Sequence, residues 1–322
     1  MPKSLAEEHP QLFHYTSAAG LDGILRTQTL WASHYAYLND ATEVKHFLEN
    51  RLPEIFQDVI LKNIGDVKTT ILSGKQFADP ILNKLLYSTT GREPLAEPYI
   101  TSFCTPKDED DRVDQHGLLS QWRGYGKDGG YALVFDTAKL SELLTETSTK
   151  YENSGDLFAG DVIYSSDDDQ RFLDEFSTDL DTMTTFLQNQ LQDHEDDENL
   201  EKIYIAVMKC ACRYKHWGFR EENEVRIIYI PNNKGAREFA KANGISINEM
   251  QRKQYTRSGA NIPFIELLEG ITSSTRPLPI SRVIVGPCAD QERARRVRAV
   301  EILLNQHGID AMVSASEIPY VG

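Results

Sequence analysis

Residues 281–316 read SRVIVGPCADQERARRVRAVEILLNQHGIDAMVSAS and hold the clearest supersecondary pattern in the chain. SRVIVGP is rich in β-branched residues and ends at a Gly-Pro pair, which predicts a strand. DQERARRVRAVEILLNQHG predicts a helix that ends at Gly308, and IDAMVSAS predicts a second strand. Because strand–helix–strand units place both strands in one sheet, this segment predicts a sheet with a helix packed on it.

Similar short runs of β-branched and aromatic residues recur toward the N-terminus. They predict further strands in LFHYTS (12–17), LWASHYAYLND (30–40), EPYITSFC (97–104), YALVFD (131–136), DVIYS (161–165) and at about 224–230. The chain shows no internal repeat and no Pro/Gly-rich linker. We therefore expect one α+β domain over residues 1–322, with the polar, basic stretch 231–260 as an excursion from it.

Composition narrows the class of protein. The 322 residues are 40% hydrophobic and 26% charged, which is enough to bury a core. With a mean hydropathy of −0.45 and no run of about 20 apolar residues, no membrane span is predicted. The first residues lack the apolar core of a signal peptide, so we expect a cytoplasmic protein. The four cysteines do not follow zinc or redox spacing and are predicted to be buried hydrophobes.

The acidity is concentrated in one segment. Residues 167–201 contain 13 Asp or Glu and one Arg, a net charge of −12, whereas the whole chain carries −15. The rest of the chain therefore carries a net charge of only −3. The net charge of the protein does not exclude binding of an anionic ligand or of nucleic acid. Helical spacing of apolar residues within 166–201 predicts an acidic helical insertion whose charged face is solvated or binds a basic partner.

Three polar clusters are candidates for chemistry. The first is His14–Tyr15–Thr16, followed by Asn39, Asp40 and Glu43; the second is Thr101–Ser102–Phe103 with Gln121, Trp122, Arg123 and Tyr125; the third is Glu222–Asn223–Glu224–Val225–Arg226.

Side chains alternate along a strand, so Glu222, Glu224 and Arg226 are predicted on one face. The two carboxylates repel unless Arg226 intervenes, and an exposed, charge-balanced edge strand is the simpler interpretation. In the other two clusters the simpler interpretation is also structural. His14 would be a histidine of the core, Trp122 and Tyr125 would be aromatic residues of the core or of a lid, and Arg123 would form a salt bridge next to them.

A metal site is a further possibility near the first cluster. Asp40, Glu43 and His46 would offer two oxygens and one nitrogen, a set that suits a hard or borderline divalent ion. No other feature of the sequence supports this set.

Four blocks resemble those of a large bacterial family catalogued only as a domain of unknown function. They are LFHYTSAAGLDGILRTQTLWASHYAYLNDATE, YITSFC…QWRGYGKDGGYALVF, KHWGFREENEVRII and SRVIVGP…IPY, in the same order. Members of that family occur among accessory and anti-phage defence genes, so the resemblance implies a dispensable bacterial protein rather than a central metabolic enzyme.

The first block also resembles, more distantly, the start of ADP-ribosyltransferase folds, which include toxins that modify DNA. The resemblance implies a split mixed sheet surrounded by helices, with a His on the first strand, a Ser-Thr-Ser-like element on the second and a Glu-x-Glu pair on a later one. His14, Ser102 and Glu222-x-Glu224 match these positions, although ITS replaces STS.

The resemblance implies a role for each residue. Glu224 would stabilise the oxocarbenium-like transition state of nicotinamide–ribose cleavage, and Glu222 would orient or deprotonate the acceptor. His14 would donate to the ribose or to the amide of NAD, with Tyr15, Thr16, Ser102 and Trp122 around the ligand. Arg123 or Arg226 would pair with the diphosphate.

We therefore expect an NAD-dependent ADP-ribosyltransferase-like protein that modifies nucleic acid or protein in a toxin or phage-defence setting, with NAD as substrate and no metal. Two alternatives stay open. One is a non-catalytic nucleotide-sensing or interaction module, and the other is a metal-dependent hydrolase or nuclease built on Asp40, Glu43 and His46.

Overall fold

The computed structural model describes residues 4–38, 42–64, 74–76, 78–79, 97–106, 111–125, 129–165, 169–191, 197–257 and 259–319. Within these residues the chain forms an α+β fold built on a large mixed sheet. The helices are α1 (Leu5–Glu8), α2 (Ala18–Thr27), α3 (Thr42–His46), α4 (Leu52–Ile64), α5 (Asp111–His116), α6 (Leu119–Tyr125), α7 (Thr137–Lys150), α8 (Asp169–Glu175), α9 (Ser177–Leu191), α10 (Asp197–Cys212), α11 (Lys234–Ala242) and α12 (Asp290–Gln306).

Twelve strands lie between the described helices. They are β1 (Gln11–Thr16), β2 (Leu30–His34), β3 (Tyr99–Cys104), β4 (Tyr131–Asp136), β5 (Gly155–Asp161), β6 (Ile163–Tyr164), β7 (Tyr214–Lys215), β8 (Glu224–Pro231), β9 (Arg252–Arg257), β10 (Ala260–Leu267), β11 (Ile280–Val285) and β12 (Met312–Ala315). Ten of them form the main sheet, and β6 and β7 form a separate parallel pair.

The main sheet divides at β3. Its order is β12–β11–β4–β1–β3–β2–β10–β9, and β8 also pairs with β3 and carries β5 on its far side. Strand β1 meets β3 at Phe13↔Cys104, whereas β2 meets it at Ser33↔Ile100 and His34↔Tyr99. Because β8 pairs with β3 along all six residues, β1 and β2 share the opposite edge of β3 and leave its middle residues unpaired there.

The two faces of the sheet bury different cores. Leu12, Phe103, Val225, Ile227 and Val283 belong to one apolar cluster, together with residues of α2, α7 and α12. The opposite face carries two clusters: one packs β8 against α3, α4, α9 and α10, and the other packs β1 and β4 against Trp122 of α6. The alternation of side chains along β8 places Glu224 and Arg226 on this second face.

Several sequence predictions are confirmed. The segment 281–316 forms β11, α12 and β12, and the two strands pair in parallel. Ser17 caps α2 by accepting a hydrogen bond from the Gly20 N–H at 3.2 Å. In the acidic segment, the predicted apolar residues Phe172, Phe176, Met183 and Leu187 are buried, and Leu180 is partly buried. Three of the four cysteines are buried and the fourth is partly buried, all of them unpaired.

Two predictions are wrong and a third holds only in part. Strand β8 is central and buried, not an exposed edge strand, because β3 and β5 pair with its two sides. Glu222 lies outside β8, at the end of the 3-10 helix Trp217–Glu222. The stretch 231–260 is an excursion only in part, since its strand β9 pairs with β10 and forms an edge of the main sheet. Among the described residues, no helix has the length and apolar character needed to cross a bilayer.

Candidate functional site

Five charged side chains form a buried ionic cluster on the second face of the sheet. The Glu224 carboxylate accepts hydrogen bonds from Arg226 Nε at 2.7 Å and from Lys215 Nζ at 3.0 Å. Arg226 also donates to Glu43 at 2.7 Å, and Lys215 also donates to Glu222 at 2.9 Å. Three carboxylates and two cations give the cluster a formal charge of −1. We call these residues the ionic cluster: Glu43, Lys215, Glu222, Glu224 and Arg226.

Burial and pairing act in opposite directions on the protonation of this cluster. Desolvation disfavours the charged form of Glu224, but Arg226, Lys215 and a hydrogen bond from the Ser102 side chain lower its pKa to about 2. Desolvation likewise opposes charge on Lys215 and Arg226, yet the surrounding carboxylates raise the pKa of both. Burial raises the pKa of Glu43 despite its two cationic neighbours. At neutral pH Glu224 is therefore a fixed anion.

A left-handed residue brings Glu222 and Glu224 to the same ammonium group. Asn223 has φ 43° and ψ 60°, and asparagine is one of the few residues that tolerate this region. Its backbone carbonyl accepts hydrogen bonds from the backbone N–H of Thr105 at 3.0 Å and from the Thr105 hydroxyl at 3.1 Å, which fixes the turn against the end of β3. The two glutamates meet at Lys215 because of this turn, not because of strand alternation.

Ser102 lies between two of the predicted motif positions. It is in register with Arg226 across the β3–β8 ladder, and it contributes to the low pKa of Glu224. Its backbone carbonyl lies 3.0 Å from Nδ1 of His14. The structure thus places His14 against the backbone of Ser102, at the point where β1 and β3 separate, and Ser102 beside the ionic cluster.

The contact with Ser102 defines the tautomer of His14. A carbonyl oxygen can only accept a hydrogen bond, so Nδ1 of His14 carries the proton and Nε2 is left as an acceptor when the ring is neutral. Burial lowers the pKa of His14, which favours the neutral ring. Nε2 is consequently suited to accept a hydrogen bond from a ligand hydroxyl, whereas the sequence-based expectation made His14 a donor.

Two residues that were expected at the ligand have structural contacts instead. The Tyr15 hydroxyl accepts a hydrogen bond from the Leu118 N–H at 2.8 Å, and its ring packs edge-on against Trp122. Trp122 is buried and donates from Nε1 to the His116 carbonyl at 2.9 Å. Both rings therefore hold α6 against β1. Thr16 is partly buried and its hydroxyl covers Gly20, where a Cβ would lie 2.0 Å away.

The two candidate diphosphate ligands differ in their surroundings. Arg226 is buried and donates to Glu43, to Glu224 and to the Cys212 carbonyl at 2.7 Å, so its described hydrogen bonds all stay within the protein. This differs from the expectation that Arg226 faces a ligand. Arg123 is exposed on α6, two residues before the exposed Tyr125.

One exposed aromatic side chain, Phe219, contacts the ionic cluster, and Trp217 and Tyr125 are also exposed. Trp217 is 59% exposed, Tyr125 43% and Phe219 36%. The Lys215 ammonium lies 4.7 Å from the centroid of the Phe219 ring. Burial and the negative charges of Glu224 and Glu222 raise the pKa of Tyr125 to about 12.

The candidate metal ligands do not form a divalent-ion site in the described residues. Glu43 directs its carboxylate at Arg226 and at Lys215, 3.3 Å away, and two cations oppose the binding of a third. His46 is exposed, and Asp40 lies outside the described residues. Glu8, His9 and Asp161 also approach one another, but Asp161 is paired with His9 at 2.8 Å and with Arg171 at 3.1 Å.

Sequence reasoning missed Lys215, whereas Cys104 is buried, as predicted. Lys215 contacts three carboxylates from different parts of the chain, and no local motif marks such a residue. Cys104 is in register with Glu224, and burial and the nearby carboxylates raise the pKa of its thiol, so it is protonated and unreactive at neutral pH.

Comparison with known proteins covers part of this site. No curated protein and no solved structure matches the chain. Residues 121–227, which run from α6 into β8 and include Lys215, Glu222, Glu224 and Arg226, match the model of a family described as a protein of unknown function, DUF2971.

Proposed function

We propose that this protein is an NAD-dependent ADP-ribosyltransferase-like enzyme whose site lies between β1, β3 and β8. One observation carries the proposal: His14 contacts the backbone carbonyl of Ser102, and Ser102 is in register with Arg226, which is paired with Glu224. Their strands are immediate neighbours in the order β1–β3–β8, and the sheet divides between the first two. This agrees with the split sheet and with the three strand positions that the resemblance implies.

The chemistry of the described groups fits this reaction. In the transfer, the C1′–N bond of NAD breaks, nicotinamide leaves with the electron pair, and an acceptor heteroatom bonds to C1′ and loses its proton. A carboxylate that stays ionised stabilises the positive charge that develops on the ribose. Glu224 meets this requirement, and the less buried Glu222 is placed to take the acceptor proton. His14 Nε2 would accept a hydrogen bond from a ribose hydroxyl, and Arg123 would contact the diphosphate.

A second function is favoured by the pairing of Glu224. Its two oxygens already contact Arg226 and Lys215, and only 5% of the residue is exposed. A site with this arrangement would hold a nucleotide without cleaving it, as in a nucleotide-sensing module of a defence system. The metal-dependent hydrolase remains the weakest alternative, because Glu43 contacts two cations.

The acidic segment 166–201 provides a surface for a partner. Phe172 of α8 and Met183, Phe186 and Leu187 of α9 are buried, while Asp174, Glu175 and Asp181 are exposed. We propose that this acidic face either binds a basic protein or is exposed to solvent. If it binds a basic protein, high salt should weaken that binding.

Nicotinamide release and thermal stability test the proposal together. NAD at millimolar concentration should raise the melting temperature, since a ligand that binds the folded state stabilises it. Nicotinamide should be released, and Glu224→Gln should reduce the rate at least about 100-fold, the usual effect of losing one charge-stabilising group. Glu49→Gln, on the exposed side of the 47–51 segment, is the matched control.

The outcomes separate the two functions. Since Glu224→Gln affects a buried ion pair, its fold is checked by circular dichroism, and Ser102→Ala serves as a milder second variant. A thermal shift without nicotinamide release indicates the sensing module. No shift and no release exclude NAD as a ligand of the site.

A further inference from the structure

Strand β12 forms one end of the main sheet and leaves one of its sides unpaired. It pairs in parallel with β11, and no other strand of the described chain pairs with it. The unpaired side of an edge strand presents a row of backbone N–H and C=O groups, and proteins usually protect such a row with charged side chains. The free side of β12 is therefore a candidate binding surface.

The two ends of the sheet differ in this protection. Strand β9, at the other end of the order, reads RKQYTR and carries three cations in six residues. Residues 311–316 read AMVSAS and contain no charged side chain. Met312, on this strand, is also 68% exposed. An uncharged edge with an exposed apolar side chain is typical of a strand that pairs with another chain.

A hydrogen bond to β11 shows which backbone groups of β12 face outward. The Ser316 N–H donates to the Val285 carbonyl at 2.8 Å. Successive residues of a strand direct their backbone groups to alternate sides, so those of Ser314 also point to β11, whereas those of Val313 and Ala315 point to the unpaired side. Two outward residues with one residue between them provide the hydrogen-bonding groups that an antiparallel partner strand requires.

The hydroxyl of Ser314 is a second, independent reason to expect a partner strand. Its Oγ atom is buried and has no hydrogen-bond partner in the described part of the protein. Buried polar groups without a partner are uncommon because they cost free energy. Ser314 lies between the two outward residues, so an antiparallel strand centred on it would place another side chain directly opposite this hydroxyl.

We propose that β12 pairs antiparallel with β12 of a second copy of this chain, around a two-fold axis at Ser314. In this register Val313 exchanges both backbone hydrogen bonds with the partner's Ala315, and the two Ser314 hydroxyls meet across the axis. A second copy fits this edge because the arrangement is self-complementary, as two-fold symmetry requires. Residues 311–316 bring no like charges together at the axis.

The size of the edge sets the expected strength of the dimer. Strand β12 has four residues, and such an edge is smaller than a standard interface of about 800 Å² per partner. We therefore expect a dimer that dissociates on dilution. The inference is independent of the proposed function, because strand pairing needs no NAD.

Cross-linking at one position tests the register. Ser314→Cys would place two thiols in a directly opposed pair with Cα atoms about 4.5 Å apart, within the range of a disulfide. Met312→Cys is the matched control, because its two thiols would lie about 13 Å apart along the strands. Mild oxidation of the full chain should give covalent dimers of Ser314→Cys, and neither of Met312→Cys nor of the parent.

Sedimentation velocity over a range of concentrations tests the interface itself. The parent should show a monomer–dimer equilibrium. Met312→Lys should weaken the dimer roughly tenfold, because a partner strand would have to cover the new ammonium group. Phe239→Lys is the matched control, since Phe239 is 66% exposed on α11 and should leave the equilibrium unchanged. Val313→Pro removes one outward N–H, a change that an edge strand tolerates, and should abolish the dimer.

The inference is overturned if the parent stays monomeric at every concentration, or if Phe239→Lys weakens the dimer as much as Met312→Lys does. Absence of cross-linking in Ser314→Cys, or equal cross-linking in Met312→Cys, also overturns it. Circular dichroism checks the fold of Val313→Pro, and the lysine and cysteine variants decide the question if that variant does not fold. A negative NAD test would reject the proposed function and leave this dimer unaffected.

Discussion

The carboxylate of Glu43 accepts a hydrogen bond of 2.7 Å from the guanidinium of Arg226, 183 residues further along the chain. This contact joins α3 to the centre of the main sheet. Removing charges from water costs several kcal/mol per ion, and the cost is offset only when every member of such a cluster is paired. The ionic cluster therefore fixes the relative positions of α3, β7 and β8, and with them the geometry of Glu222 and Glu224.

Removal of Lys215 should destabilise the protein strongly. Lys215→Met leaves Glu43, Glu222 and Glu224 with Arg226 as the remaining cation of the cluster, and breaking a buried ion pair from one side costs about 3–5 kcal/mol. Lys45→Met removes an ammonium that is half exposed beside Glu49 and should cost less than about 1 kcal/mol. Urea unfolding at pH 7 measures both. Equal free energies of unfolding for the two variants would contradict a structural role for the cluster.

The free energy of unfolding should decrease at acidic pH as Glu224 becomes protonated. Its pKa of about 2 in the folded protein lies below the value of about 4.3 for an unfolded chain. Its contribution is therefore complete above pH 4.3 and is lost as the pH falls toward 2. Glu224→Gln should lower the free energy of unfolding by about 3 kcal/mol at pH 7, and the difference from the parent should shrink between pH 5 and pH 2. Parallel pH curves for the two proteins would refute this assignment.

Two glycines near Trp122 should respond to alanine in opposite ways. A Cβ on Gly286 would lie 2.7 Å from the Gly130 carbonyl oxygen and 2.9 Å from the Trp122 ring, so Gly286→Ala should destabilise the protein by about 1–3 kcal/mol. Gly124 lies in α6 with nothing within 4 Å of its Cβ position, and Gly124→Ala should stabilise by up to about 1 kcal/mol. Thermal unfolding distinguishes the two, and a loss of stability in both would mean that α6 is packed differently.

His14 should remain neutral where an unfolded histidine is charged. Burial lowers its pKa from 6.5, so its contribution to stability is complete above pH 6.5 and decreases as the pH falls below it. Nitrogen NMR at pH 6 should show a neutral ring with the proton on Nδ1, as the contact with the Ser102 carbonyl requires. A charged ring, or a proton on Nε2, would remove His14 as a hydroxyl acceptor.

The sequence alone determined the elements that local patterns specify. The strand–helix–strand unit of 281–316, the strand YALVFD and the cap at Ser17 were predictable, because alternation, helical spacing and capping act over a few residues. The placement of Glu224 and Arg226 on one face of a strand was also predictable, since side chains alternate along a strand.

Only the tertiary structure decided what these residues contact. The burial of β8 depends on two strands that are distant in sequence, and so no local pattern shows that Glu224 and Arg226 are enclosed. The approach of Lys215 to three carboxylates, the exposure of Trp217 and the contact of His14 with the Ser102 carbonyl arise in the same way. Ion pairing and burial are set by distances in space, and the chain closes those distances only when the sheet has assembled.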